Sequence, residues 1–123
     1  MTNYAAYTTG EKLTAAKLNQ RLPSWLNLQG TGTAVVNDSF NVTLTADNGT
    51  GDYTVAFTTD FSNASWCAVF GAEMDPGVSI RSCGIGGDAR AAGSIQIECC
   101  LTSTGAAADS VDIEMVVFGD NEF

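Results

Sequence analysis

Apolar and polar residues alternate with a period of two through much of the chain. The clearest case is 94–101, where Ile95, Ile97, Cys99 and Leu101 face one way against Ser94, Gln96 and Glu98. Over 110–118, Val111, Ile113, Met115 and Val117 oppose Asp112 and Glu114 in the same manner. Successive side chains of a strand point to opposite faces, so each segment predicts a strand with one wet face. Residues 39–57, SFNVTLTADNGTGDYTVAF, carry two further runs around a turn. Phe40, Val42 and Leu44 fall on one face of the first, and Tyr53, Val55 and Phe57 on one face of the second. Between them, 47–51 supplies Asp, Asn and Gly residues that tolerate positive φ, so the segment reads as a β-hairpin. Additional strands are expected at 65–72, 78–83 and, shorter, near 33–36, with turns at 75–77, 84–88 and 104–108. The count reaches about seven, which predicts an all-β fold: an antiparallel β-sandwich or jelly-roll-like domain.

One segment departs from this period. Residues 13–22, LTAAKLNQRL, predict a short helix, with Thr14 as N-cap, Leu13 stapled onto Leu18 and Pro23 ending the run. A helix of about two turns is not stable alone in water, so it needs a surface to dock on. Leu13, Leu18, Leu22 and Trp25 are its docking residues, and the surface is either its own β body or a partner. Tyr4 and Tyr7, in a polar arm, fit a core poorly and are read as anchors to a partner. Residues 24–32 read as a linker with Gly30-Thr31-Gly32 as a flexible joint. The expected organisation is an N-terminal arm with a short helix, 1–32, followed by a β-sandwich domain, 33–123.

Length and composition narrow the class. The 123 residues suffice for one domain, and 45% hydrophobic against 15% charged residues argues for a folded chain. No apolar run approaches the roughly 20 residues that span a bilayer, so no membrane insertion is expected. The N-terminus lacks a basic start leading into an apolar stretch, so the chain is expected to fold where it is made. Cys67, Cys83, Cys99 and Cys100 would then be free thiols rather than bridges, with Cys99 filling core space beside Ile97. Charge divides unevenly: residues 1–21 carry three Lys or Arg against one Glu, whereas 22–123 carry two Arg against thirteen acids. A body of net charge −11 repels a phosphate backbone, which makes nucleic acid an unsuitable partner.

Chemistry is scarce. The chain has no histidine, which removes Ser-His-Asp, Cys-His and His-ligated zinc arrangements. Its cysteines lack the close pairs of a zinc site. Residues 84–89, GIGGDA, match the letters of a dinucleotide fingerprint, but no helix follows to face a pyrophosphate, so they read as a hairpin loop. The 47–52 turn lacks the alternating acids of a calcium loop. Asp112 and Glu114 lie two apart on a wet face with no aromatic cleft beside them. Trp66 and Phe70 alternate on one strand and are the candidates for stacking on a sugar, against a simpler role in the core. No catalytic residue, metal or cofactor is assigned, and the chain is not read as an enzyme.

Three segments resemble surface proteins of tailed-phage virions, one of them weakly. Residues 10–19, GEKLTAAKLN, are similar to helices that open many tail-fibre-like and minor structural proteins, with the spacing here one residue tighter. Residues 39–70 resemble the hairpin and following strand of the same group, and 111–119, VDIEMVVFG, are similar to its last strand. The resemblance implies a virion structural component made in the host cytoplasm, tail-fibre-like or head-decorating. It also implies assembly as a homotrimer, contact with other tail or capsid proteins, and an arm that attaches the acidic body. The alternative is a carbohydrate-binding module for host-surface polysaccharide, with a small hydrolase behind both.

Overall fold

A computed structural model describes residues 9, 10, 12, 14, 15, 23–73, 79–87 and 90–120. The elements among them are eight strands: β1 (Ser24–Gln29), β2 (Val35–Phe40), β3 (Val42–Gly49), β4 (Asp52–Phe57), β5 (Cys67–Ala72), β6 (Arg81–Ile85), β7 (Ser94–Leu101) and β8 (Ile113–Phe118). They form two antiparallel four-stranded sheets, ordered β2-β1-β8-β5 and β3-β4-β7-β6. The all-β expectation therefore holds, with eight strands rather than about seven. The helix expected over 13–22 lies outside the described residues apart from Thr14 and Ala15.

The alternation does what the sequence predicts. Leu26, Leu28, Ile113, Met115 and Val117 from the first sheet meet Val42, Tyr53, Val55, Phe57, Ile95, Ile97 and Cys99 from the second in one buried cluster. Two sheets facing each other through such a cluster make a sandwich-like body, and each fully buried aliphatic side chain contributes about 1.5–3 kcal/mol.

Three expectations need correction. The presumed linker contains β1, which lies inside the first sheet between β2 and β8. Its Leu26 and Leu28 alternate with Asn27 and Gln29, so it obeys the same period as the other strands. Gly30 is no flexible joint either: a Cβ there would lie 2.6 Å from the Tyr53 hydroxyl oxygen, so glycine permits a close approach.

The second correction concerns Phe40, which does not share a face with Val42 and Leu44. Asn41 takes a left-handed φ of 60° and splits the expected strand, leaving Phe40 in β2 of one sheet and Val42 in β3 of the other. The corner is fixed by the Asn41 side chain. Its Nδ2 donates to Ser24 Oγ and to the Thr59 carbonyl at 2.9 Å each, and its Oδ1 accepts from the Thr59 amide at 2.6 Å. Third, the loop expected at 84–88 begins later, since Gly84 and Ile85 belong to β6.

Candidate functional site

A partly buried polar cluster lies at the end of the sandwich where β4 begins. Tyr53 is fully buried, and its hydroxyl lies 2.8 Å from the Gly30 carbonyl and 2.9 Å from Asp109 Oδ1. The same carboxylate oxygen accepts the Gly51 amide at 2.8 Å, while Arg81 Nε donates to the Asp109 carbonyl. Burial, then the Asp109 carboxylate and the more distant Asp47, push the phenol far above its ordinary 10.0; the Gly51 backbone opposes them. Tyr53 therefore stays protonated. Every partner in this cluster comes from a different stretch of chain, so its effect is to pin three loops to one strand end.

Sheet β3-β4-β7-β6 presents a polar outer face. Asp52 and Glu98 sit directly opposite each other on β4 and β7, and Asp52 Oδ1 accepts Gln96 Nε2 at 2.8 Å and Asn48 Nδ2 at 3.1 Å. An open groove of about 550 Å³ lies beside them, lined in part by Thr50, Ser82, Gly84 and Cys100. One wall is the return of the chain after β7, where Ala107 bridges to Cys100. The groove offers hydroxyls and carboxylates but no aromatic ring. Among the described residues, no three Cys, Asp or Glu side chains gather as a metal site would require.

The cysteines correct a further expectation. Cys83 and Cys99 form a disulfide across β6 and β7. The Cys99 amide donates to Gly51 and its carbonyl accepts from Ala108, both away from β6. Facing Cys83, it is thus a non-hydrogen-bonded cross-strand residue, the antiparallel position where side chains come closest. Cys67 and Cys100 are free, one on the outer face of each sheet.

No family model, curated protein or solved structure matches the chain. The residues singled out from sequence must therefore be judged by where they lie. Trp66 is only 1% exposed. Its ring packs edge-on against Phe57, the Arg90 guanidinium carbon sits 4.2 Å from the ring centroid, and Nε1 donates to the Ala91 carbonyl at 2.9 Å. Phe70 packs against the same core. Neither ring presents a stacking platform, so the simpler core role stands. Asp112 accepts Asn37 Nδ2 at 2.9 Å, and Glu114 is exposed on β8.

Trp25 stands apart from these. It lies half-buried on the outer face of β1. Tyr4, Tyr7, Leu13, Leu18 and Leu22, named with it as attachment or docking residues, lie outside the described residues.

Proposed function

We propose that the chain is a non-enzymatic structural component of a phage virion, exposed on the tail or head surface and attached through its N-terminal arm. The observation that carries this reading is the use made of the polar side chains. Asn41, Tyr53, Asp109 and Arg81 are committed to hydrogen bonds that fix corners and loops of the body. Among the described residues, polar side chains spent in this way on the scaffold suit a protein that presents surface rather than performs chemistry. The segments that resemble virion proteins support it as well, because 39–70 contains the β3–β4 hairpin and most of β5, and 111–119 contains β8. The acidic body and the basic N-terminal segment divide at the start of β1, as an attached arm and an exposed domain would.

The test is co-purification. Particles banded by density and washed in high salt should retain the chain at a fixed copy number, a multiple of three if it assembles as a homotrimer. Recovery only in the soluble fraction contradicts the proposal. A second reading, a module for host glycans, rests on the groove beside Asp52 and Glu98, whose hydroxyls and carboxylates suit a sugar's hydroxyl groups. Saturable binding of host-envelope polysaccharide, lost in Glu98→Ala, would favour it.

A further inference from the structure

The strand order places four separated residues in one line. Across β2, β1, β8 and β5, Phe40 pairs with Trp25, Trp25 with Val116, and Val116 with Val69. Directly paired residues share a face, and the core-facing neighbours Leu26, Met115, Val117 and Phe70 show that this face is the outer one. Two residues along, Phe118 pairs with Cys67 and widens the row. Val69 is 63% and Phe118 51% exposed, so an apolar stripe crosses the sheet on a side that ordinary alternation would leave polar. The next row toward the Tyr53 end holds the polar Asp38, Asn27 and Glu114, with Gly71 at its edge.

The geometry points to the chain's own segment 13–22 as the cover of this stripe. Position favours it, because β1 begins at Ser24, paired with Val117, and segment 13–22 ends one residue before Pro23, which leads into the sheet at the level of Phe118 and shortly before the Trp25 row. Tethered so closely, the segment meets the stripe at an effective concentration that no free partner matches. Size favours it too. Four strands put about 14 Å between the outer members of the row, and the helix predicted over 13–22 would be about 15 Å long. The stripe itself is one row of side chains across four strands, on the order of a few hundred Å². A second copy would need about 800 Å² on each side for a stable interface. Charge completes the match: Leu18 and Leu22 are four apart, as are Lys17 and Arg21, so a helix with its leucine edge on the stripe carries a basic edge beside it. The acids of the adjacent row, Asp38 and Glu114, lie about 7 Å from the Trp25 row.

Docking of 13–22 on its own body leaves residues 1–12, with Tyr4 and Tyr7, as the part available for attachment. The inference does not depend on the virion reading, and its test needs no particle. The two free thiols report on the two outer faces, Cys67 beside Phe118 and Cys100 in the groove of the other sheet. Pulsed alkylation of the full, unreduced chain, read by peptide mass spectrometry, gives both rates at once. Cys67 should react more slowly than Cys100, and Leu18→Asp should raise the Cys67 rate about tenfold while leaving Cys100 unchanged. The milder Leu18→Ala should move Cys67 in the same direction by less, and it keeps the test readable if the aspartate variant does not fold. Equal Cys67 rates in the unmodified chain and in folded Leu18→Ala and Leu18→Asp variants would overturn the inference. So would protection of Cys67 that disappears on dilution, since a second copy would then be the cover.

Discussion

The outer faces of the two sheets are built on the same alternation and end in opposite surfaces. On β3-β4-β7-β6 the outward positions are Asp52, Thr54, Gln96, Glu98 and Ser82, a face suited to water. On β2-β1-β8-β5 the corresponding positions include Trp25, Val116, Val69 and Phe118, a face suited to a cover. The inward halves are alike, since both sheets contribute to one core. Alternation thus identifies which residues can be outside, whereas strand order decides whether the outside becomes a surface or an interface.

Both outer faces exist only while the two sheets stay packed on their common core, and the severest way to separate them is at the Tyr53 seam. Gly51 has a φ of 67°, and a Cβ there would lie 2.4 Å from the Cys99 carbonyl oxygen. Gly51→Ala should therefore cost at least about 3 kcal/mol, read from urea unfolding, because positive φ and a backbone clash combine. Tyr53→Phe should cost about 1–3 kcal/mol at neutral pH, since Gly30 and Asp109 lose the phenolic proton. The substitution should also change the alkaline limb. Folding raises the Tyr53 value above its ordinary 10.0, so its contribution is complete below that pH and is lost as pH rises beyond it. The stability gap between the unmodified chain and the Tyr53→Phe variant should accordingly narrow above about pH 10.

Smaller substitutions sharpen the contrast between faces. Val116→Asn, in the middle of the apolar row, should cost about 1–2 kcal/mol in the full chain if the stripe is covered. Thr43→Asn, exposed on β3, should stay within about 0.5 kcal/mol. Equal effects would erase the distinction. Smallest of all, Glu98→Gln should stabilise by about 0.2–0.5 kcal/mol at low salt, because Glu98 faces Asp52 directly across the strands. The gain should shrink as salt screens the pair.

These faces were unequally legible in the sequence. The inward sets of β4, β7 and β8 follow from period two alone. β1 carries the same signal in Leu26 and Leu28, yet Pro23 before it and two glycines after it favour a linker when each is read as a breaker. Asn41 hides a corner within an unbroken alternation, because only a residue tolerant of left-handed φ lets the chain change sheets there. The Cys83–Cys99 bridge and the apolar stripe depend on register between segments far apart in sequence, as Phe40, Trp25, Val116 and Val69 show. Trp66 could be read from composition as a platform or as core, and its Arg90 and Ala91 partners decide for core.

The most direct test of the virion reading separates attachment from folding. A chain lacking residues 1–12 should keep the thermal stability of the full protein and the slow alkylation of Cys67, yet be missing from purified particles when it replaces the full chain. Normal incorporation of this shortened chain would contradict attachment through the N-terminal arm.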